Sequence, residues 1–282
     1  MTNAAHQPAD VKLAVIGLGH MNTAIVAGYV ATGAAPAAIQ ATTHSIASAT
    51  AKSEKLGITV VSLDSNPEAN RQAVAEADVV LVGTKPADIV PTLSDLAPAL
   101  PDRAVVVSVA AGITLQAITE AVGADQPVVR CMPNLPLTLG KGVVGMAGNQ
   151  AVTDRRLAQA EAIFSGSGRV FHVPEDQINL VAAIAGSGPG YIFHITDVLA
   201  QAGAQLGLDP ETAVELARLT VSGAGAMLGE DGADPKALTD QICTPGGTTE
   251  AAVNAMDDSG LQELLVTAVH ANIARSEQIA NS

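Results

Sequence analysis

The sequence predicts an α/β fold in its first part, with a mostly parallel, doubly wound sheet, and an all-α domain in its second part. Apolar runs typical of strands buried on both faces alternate with helical segments, and this alternation stops after Asp176. The charge changes at the same place, since residues 1–173 hold 11 basic and 13 acidic residues and residues 174–282 hold 3 and 15. We therefore expect two domains, residues 1–173 and residues 174–282.

Composition excludes several classes of protein. The net charge of −14 argues against nucleic-acid binding, which needs a basic surface. Cys131 and Cys243 predict small buried side chains, with neither a disulfide framework nor a metal site. The opening segment has no apolar signal core, which predicts a cytosolic protein. Residues 177–196 could span a bilayer by length, but GSGPG predicts a buried helix–turn–helix there, and no membrane partner is expected.

The first predicted strand, residues 11–16, leads into a glycine-rich turn and then into a helix that ends at Gly33. A strand, a G-x-G turn and a helix in this order are typical of a dinucleotide-binding, Rossmann-like unit. The turn receives the pyrophosphate, and the helix N-terminus supplies N–H donors. Asn22 takes the place of the third glycine of the motif. The predicted cofactor-binding residues of this turn are Gly17, Leu18, Gly19, His20 and Met21.

The second predicted strand, in "AIQATTHS", ends in four polar residues, Thr42, Thr43, His44 and Ser45. Enzymes that prefer NAD usually have an acidic residue here, which binds the ribose 2′-hydroxyl. Hydroxyls and an imidazole can instead bind a 2′-phosphate. We therefore predict NADPH as the cofactor, with NADH possible, and Thr43 and His44 as cofactor-binding residues; the alternative is an ordinary polar loop.

Further buried strands are predicted at Val79–Val82, at residues 105–109 and in "PVVRCMPNLP". Two short strands, in "KGVVGMAG" and "GRVFHV", are expected to close the sheet. Ligands bind at the carboxyl ends of the strands in such sheets, so the residues that follow these strands should line one rim. They are Lys85, Ala110, Ala111, Gly112, Met132 and Asn134, and all of them except Ala111 are predicted cofactor-binding residues.

The second part of the chain predicts helices and one unusual turn. Asp209 and Asp234 each precede a proline, which is typical of a helix N-terminus. Small residues in "VSGAGAMLG" favour close helix crossings and pairing with a second copy. The stretch "ICTPGGTTEAAV" has two adjacent glycines and two threonines where a simple helix–helix turn needs one glycine.

Seven motifs occur in an order that resembles the pyrroline-5-carboxylate reductase family: "IGLGHM", "TKP", "SVAAGI", "RCMPNLP", "GSGPGY", "GLDPETA" and "DQICTPGGTTEAAV". The resemblance covers nearly the whole chain, and the pair of GSGPxY and PGGTT is its most specific part. Six positions depart from the usual pattern: Asn22, Gly83, Thr84, Leu135, Gly190 and Asp197. Most of these changes alter side-chain size, so we expect them to affect cofactor fit and kinetics more than the reaction.

The resemblance implies hydride transfer from NADPH to 1-pyrroline-5-carboxylate, a cyclic imine with one carboxylate, which gives L-proline. The Pro-Gly-Gly turn and the helix start near Thr248 can bind that carboxylate without an arginine. A helix cap without a ligand is the alternative. Thr249 is the predicted catalytic residue, as an orienter of the ring nitrogen or a proton relay. The predicted substrate-binding residues are Thr244, Gly246, Gly247, Thr248, Thr249 and Asn134. Asn66 and Thr84 complete the predicted cofactor-binding residues.

Two other functions stay open. A related reductase of another imine or of a β-hydroxyacid should change the PGGTT loop, and β-hydroxyacid enzymes use a lysine of the helical domain, where this chain has only Lys236. A non-enzymatic NADPH-binding regulator should have lost the loop. The resemblance also implies a homodimer through the helical domain, with Gly223 and Gly225 at helix crossings, and makes larger rings of dimers possible.

Overall fold

The structure, a computed structural model, describes residues 11–280, with side chains to residue 278. The opening segment, on which the prediction of a cytosolic protein rests, therefore lies largely outside the described residues. The chain forms two compact units. The first contains the chain up to Gly186 and the residues from Ile273 onward, and the second contains Ser187–Asn272.

The first unit is built on one sheet with the strand order β3-β2-β1-β4-β5-β6-β7-β8. All neighbouring strands are parallel except β6 and β7, which are antiparallel. This confirms the predicted doubly wound, mostly parallel sheet. The strands are β1 Leu13–Ile16, β2 Ile39–Thr43, β3 Thr59–Ser62, β4 Val79–Val82, β5 Val105–Ser108, β6 Val128–Pro133, β7 Gly142–Gly148 and β8 Gly168–His172.

Helices cover both faces of this sheet because alternate residues of each central strand point to opposite sides. In β1, Leu13 and Val15 belong to one buried cluster and Ala14 and Ile16 belong to the other. The helices of the first unit are α1 His20–Ala31, α2 Ile46–Leu56, α3 Ala69–Val74, α4 Pro86–Leu96, α5 Leu115–Val122, α6 Asp154–Ala162 and α7 Ile178–Val181.

The strand β3 was missed by the sequence analysis, which placed no strand between β2 and β4. Thr59–Ser62 pairs only with β2 and forms the edge of the sheet. Thr59 is exposed and the two valines are half-buried, so the segment has no continuous buried run of the kind that revealed β4.

Residues 174–186 pack with the first unit, although the predicted domain boundary lies at residue 173. Ile178 is buried in one of the two core clusters. Glu175 accepts a hydrogen bond from the backbone N–H of Leu115 at 2.5 Å and contacts the Arg130 guanidinium at 3.3 Å. Arg130 also donates to Asn179 Oδ1 at 3.0 Å. Burial lowers the pKa of Arg130 from its ordinary value, and the Glu175 carboxylate opposes this change.

A bend at Ser187, within GSGPG, separates the helical segments of residues 177–196, so the helix breaks where the sequence predicts it. The π-helical turn Ala182–Gly186 follows α7, and Pro189 lies in the first turn of α8, where its missing N–H costs nothing. Contrary to the prediction, the segment is not buried. Glu175–Gln205 is the one helix among the described residues that is long and apolar enough to cross a membrane, and 11% of its most apolar window is buried.

The second unit is helical, as predicted. Its helices are α8 Gly188–Gln205, α9 Pro210–Leu228, α10 Pro235–Ile242, α11 Thr248–Asp258 and α12 Leu261–Ala280, of which α12 ends in the first unit. Asp209 caps α9 by accepting from Thr212 N at 3.0 Å, and this hydrogen bond holds the pKa of Asp209 below its ordinary value. Many apolar side chains of α8 and α9 are exposed, among them Ile192, Phe193, Ile195, Val214, Leu216 and Leu219.

Candidate active site

The residues that were predicted to bind a cofactor follow the carboxyl ends of parallel strands. The turn of residues 17–21 follows β1, Thr43 and His44 end β2, Asn66 follows β3, and Thr84 and Lys85 follow β4. Ala110 and Gly112 follow β5, and Met132 and Asn134 lie at the end of β6. Because parallel strands end at one edge of a sheet, the first unit brings this whole set to one rim.

Backbone donors at the start of α1 make this rim fit a dinucleotide. Gly17 has φ +80°, a left-handed conformation that favours glycine. The N–H groups of Gly17 and Leu18 donate to Thr42, and that of Gly19 donates to the Gly17 carbonyl. The available donors are therefore in the first turn of α1, which begins at His20 and has no side-chain cap. They face an anion together with the positive end of the helix dipole.

Side chains of the glycine turn contribute less than its backbone. Leu18 is 1% exposed and belongs to the hydrophobic core, and Met21 packs partly against the same core. His20 is exposed at the first position of α1. A Cβ atom on Gly19 would have Gly83 O at 4.0 Å as its nearest neighbour, so the space over this residue is open.

Asn22 lies beneath the turn and holds it. Its Nδ2 atom donates to the Gly17 carbonyl at 2.8 Å, and the residue is 1% exposed. Its amide also faces Gly83, where a Cβ atom would lie 2.5 Å from Nδ2. The glycine at position 83 therefore makes room for the asparagine at position 22.

The polar side chains at the end of β2, which were predicted to bind a 2′-phosphate, are mostly engaged within the protein. Thr43 is buried and its hydroxyl donates to the Ser45 carbonyl at 3.1 Å. Ser45 in turn accepts from Ser48 N and caps α2. Both side chains are engaged in forming the loop, and His44 is the exposed member of the predicted pair.

Two charged residues near this rim were missed. Asp64, which follows β3, has its Oδ1 atom 3.9 Å from His44 Nε2. Lys52, on α2, donates from Nζ to the Leu18 carbonyl of the glycine turn. Asp64 could not be found because β3 was missed. Lys52 could have been found, because it lies seven residues after the Ser45 cap and therefore on the same face of α2, a spacing that is visible in the sequence.

Asn134 joins three segments of the first unit. Its Oδ1 atom accepts from Val143 N at 2.9 Å, and its Nδ2 atom donates to Ala185 O, in the π-helical turn, at 3.0 Å. Met132 approaches the same turn, since a Cβ on Gly186 would lie 3.0 Å from its Cε. The predicted ligand-binding role of Asn134 therefore competes with a structural role that occupies both ends of its amide.

The other predicted residues of the rim differ in exposure. Lys85 is exposed and precedes α4 as its N-cap residue. Thr84 has a buried hydroxyl with no hydrogen-bond partner among the described residues. Ala110 is buried, and Gly112 has φ +81°. The amide of Asn66 contacts Gln72 and Glu68 N.

The loop of residues 244–249 lies in the second unit and ends at α11, which begins at Thr248 as predicted. Gly246 has φ +73°, which favours glycine. A Cβ on Gly247 would lie 2.5 Å from Thr244 Oγ1 and 2.7 Å from Thr244 O, so this position accepts no side chain without a shift of the loop. No side chain caps α11, which leaves the first-turn N–H groups of Thr248 and Thr249 for a ligand.

A carboxylate of the protein itself occupies part of this loop. Glu250 Oε2 accepts from the backbone N–H of Gly246 at 2.7 Å. The sequence analysis missed this contact, although Glu three positions after a helix N-cap is a known capping pattern. One backbone N–H of the loop, that of Gly246, is therefore already engaged by a carboxylate of the protein, and the predicted binding of a substrate carboxylate stays a prediction.

Comparisons with known proteins cover both units. Residues 175–279 match a family model described as pyrroline-5-carboxylate reductase dimerisation, and residues 12–112 match one described as NADP oxidoreductase, coenzyme F420-dependent. A pyrroline-5-carboxylate reductase from Corynebacterium melassecola is 37% identical over 270 residues, which are 95% of this chain and 98% of the relative. The chain belongs to the pyrroline-5-carboxylate reductase family.

Comparisons with solved structures point to the same family. A pyrroline-5-carboxylate reductase from Coxiella burnetii is 35% identical and superimposes with a TM-score of 0.88, covering 95% of this chain and 98% of that one. A pyrroline carboxylate reductase from Plasmodium falciparum with NADP bound is 23% identical and has a TM-score of 0.78, covering 96% and 98% of the two chains. At that identity the second comparison shows the fold alone.

Family membership bears on the unusual positions and on the domain boundary. Asn22 and Gly83, both departures from the usual residues, compensate each other in space. Leu135 is 58% exposed, and a Cβ on Gly190 would meet no atom within 4 Å, so neither departure disturbs the packing within the chain. The family model of the second domain begins at residue 175, whereas the compact units divide after Gly186, and the boundary at residue 173 stays a prediction.

The cysteines and acidic residues of this family member supply no metal site in the described part of the chain, where no cluster of three potential ligands occurs. Cys131 is 1% exposed in the core of β6, and burial raises the pKa of its thiol well above the ordinary value. Cys243 is half-buried.

Proposed function

We propose that the chain reduces 1-pyrroline-5-carboxylate to L-proline with NADPH as the hydride donor. The observation that carries this proposal is the loop of residues 244–249, which combines a left-handed Gly246, a Gly247 without room for a side chain and uncapped N–H groups at the start of α11. Such a loop suits a small carboxylate. The names of the relatives support the same substrate.

The first unit is proposed to bind the cofactor through backbone groups. The first-turn N–H groups of α1, beginning at His20, suit the pyrophosphate, and the open space over Gly19 lets it approach. The NADP oxidoreductase model that matches residues 12–112 supports NADPH. NADPH supplies the hydride when it is bound.

The loop of the second unit is proposed to hold the substrate during the reaction. The N–H groups of Thr248 and Thr249 bind the carboxylate, and the Thr249 hydroxyl orients the ring nitrogen. The imine carbon accepts the hydride, and the electron pair of the C=N bond passes to nitrogen. Because a protonated imine is already electrophilic, the residues need to position the ring and need not include a strong acid.

The only lysine of the second unit argues against β-hydroxyacid chemistry. Lys236 Nζ donates to Asp240 at 2.6 Å on the exposed surface of α10, and this contact raises its pKa above the ordinary value. A lysine that serves such an enzyme as a proton donor would need a pKa nearer neutrality.

The family model that matches residues 175–279 is a dimerisation domain. We propose that the exposed apolar faces of α8 and α9 pair with a second copy, and that rings of dimers form from such pairs. Gly223 and Gly225 have open space around their Cα atoms within the chain, which suits a close helix crossing between copies. A cytosolic location and the absence of a membrane partner belong to the same proposal, since pairing would cover the apolar helix Glu175–Gln205.

One assay tests the proposed function. The purified protein is mixed with NADPH and 1-pyrroline-5-carboxylate, and loss of the nicotinamide absorbance is followed while proline is quantified by mass spectrometry. We expect one proline for each NADPH consumed. If the protein binds NADPH but forms no proline, it is a non-enzymatic NADPH-binding regulator, and the proposal is contradicted.

A further inference from the structure

Lys52 reaches from α2 to the glycine turn that faces the cofactor. Its ammonium group donates to the Leu18 carbonyl and is partly buried there. Leu18 N donates to Thr42 O at 2.8 Å, so this turn abuts the end of β2. In dinucleotide-binding folds, the junction of the first turn with the end of β2 is where a ribose hydroxyl or a 2′-phosphate is bound.

Two of the side chains predicted to bind a 2′-phosphate at this junction are restricted by contacts within the protein. The Thr43 hydroxyl donates to Ser45 O, and Ser45 caps α2. The exposed His44 lies 3.9 Å from the Asp64 carboxylate, which would repel an anion that approaches the imidazole. The threonine hydroxyls on which the prediction of NADPH rested are therefore engaged, and they do not account for a 2′-phosphate at this place.

The charge of Lys52 has no counterion in the described part of the chain. Lys52 forms no ion pair among the described residues, whereas Lys12 and Lys236 are each paired with a carboxylate. An ammonium group has three N–H donors, and the Leu18 carbonyl takes one of them. A partly buried cation with free donors and a neutral partner is suited to an anionic ligand.

We propose that Lys52 binds the 2′-phosphate of NADPH and sets the preference of this chain for NADPH over NADH. The proposal rests on the proposed function only in taking a nicotinamide dinucleotide as the ligand of the first unit. It replaces the threonine hydroxyls by a lysine as the basis of the preference.

The test compares three variants of the full-length protein with the native chain. Lys52→Met removes the charge and keeps an unbranched side chain, Lys52→Arg keeps the charge, and Lys55→Met removes an exposed charge of the same helix as the matched control. Steady-state KM is measured for NADPH and NADH. Calorimetry measures the binding of adenosine 2′,5′-bisphosphate and of adenosine 5′-monophosphate, which requires no turnover.

We expect Lys52→Met to raise KM for NADPH by about tenfold to a hundredfold, which is the effect of one charge-assisted hydrogen bond. The binding of adenosine 2′,5′-bisphosphate should weaken to a similar extent, while NADH and adenosine 5′-monophosphate change less than about twofold. Lys52→Arg should recover most of the loss, and Lys55→Met should behave as the native chain.

Two results would overturn the proposal. An equal rise in KM for both cofactors would mean that Lys52 contacts the pyrophosphate or supports the folding of the turn. No rise in either KM would mean that Lys52 only hydrogen-bonds the Leu18 carbonyl. The calorimetric comparison is decisive even if 1-pyrroline-5-carboxylate proves not to be the substrate, so failure of the proposed function and failure of this inference are distinguishable.

Discussion

A Cβ atom on Gly83 would lie 2.5 Å from Nδ2 and 2.7 Å from Oδ1 of Asn22. The two residues are far apart in sequence, but β1 and β4 are neighbours in the sheet, so the residues that follow them meet. Asn22 fills the space of a missing side chain and holds the Gly17 carbonyl at 2.8 Å. The third glycine of the dinucleotide motif is thus replaced by a pair of residues that fit each other.

Gly83→Ala is expected to destabilise the first unit by roughly 1–3 kcal/mol, because an added methyl group in a filled space forces neighbours to move. It should also weaken the binding of NADPH, since the displaced Asn22 no longer holds the turn. Thermal unfolding and calorimetric titration with NADPH measure the two effects.

The double variant Asn22→Ala with Gly83→Ala tests the pairing itself. Removing the asparagine amide creates the space that the methyl group needs, so most of the lost stability should return. Gly190→Ala is the control, because a Cβ there meets no atom within 4 Å. If the two substitutions simply add, the residues do not compensate each other.

Glu250→Gln is expected to lower KM for 1-pyrroline-5-carboxylate by a few-fold while leaving KM for NADPH unchanged. Glutamine can still accept from Gly246 N, so the loop keeps its hydrogen bond, but the negative charge that repels a second carboxylate is gone. Asp257→Asn, at the far end of the same helix, is the matched control. A higher KM for the substrate in Glu250→Gln would mean that the charge of Glu250 does not oppose binding.

Cys131 is expected to resist thiol reagents in the native protein. Burial raises the pKa of this thiol, and only the thiolate is nucleophilic. A colorimetric thiol titration should therefore detect at most one of the two cysteines before denaturation and both afterwards. Two reactive thiols in the folded protein, with the Cys243→Ser variant still showing one, would contradict the buried position of Cys131.

The sequence allowed the architecture to be predicted wherever hydrophobic pattern decides structure. The strand β4 was predicted with its observed ends because Val79–Val82 is a continuous apolar run that is buried throughout. The strand β3 was missed because an edge strand needs burial on one side only. The bend at Ser187 was predictable because glycine and proline mark it in GSGPG, whereas the exposure of that apolar segment was not.

The candidate site was predictable in its backbone and less so in its side chains. The turn after β1 and the start of α11 at Thr248 follow from glycine spacing, which is local. The hydrogen bond that engages Thr43, the contact of Lys52 with Leu18 and the proximity of Asp64 to His44 depend on where separate segments meet. No local pattern determines such contacts.

The central claim is that the loop of residues 244–249 binds the substrate, and Thr249→Ala tests it most directly because it removes the hydroxyl proposed to orient the charged ring nitrogen. The measurement is kcat/KM for 1-pyrroline-5-carboxylate at saturating NADPH, with the dissociation constant of NADPH and the melting temperature measured on the same preparations. Loss of one hydrogen bond to a charged group costs about 1.5–3 kcal/mol, so we expect kcat/KM to fall about tenfold to a hundredfold. NADPH binding and the melting temperature should be unchanged, and Thr249→Ser should recover most of the activity. Native kcat/KM in Thr249→Ala, whether or not the melting temperature falls, would show that the hydroxyl does not contact the substrate and would contradict the account.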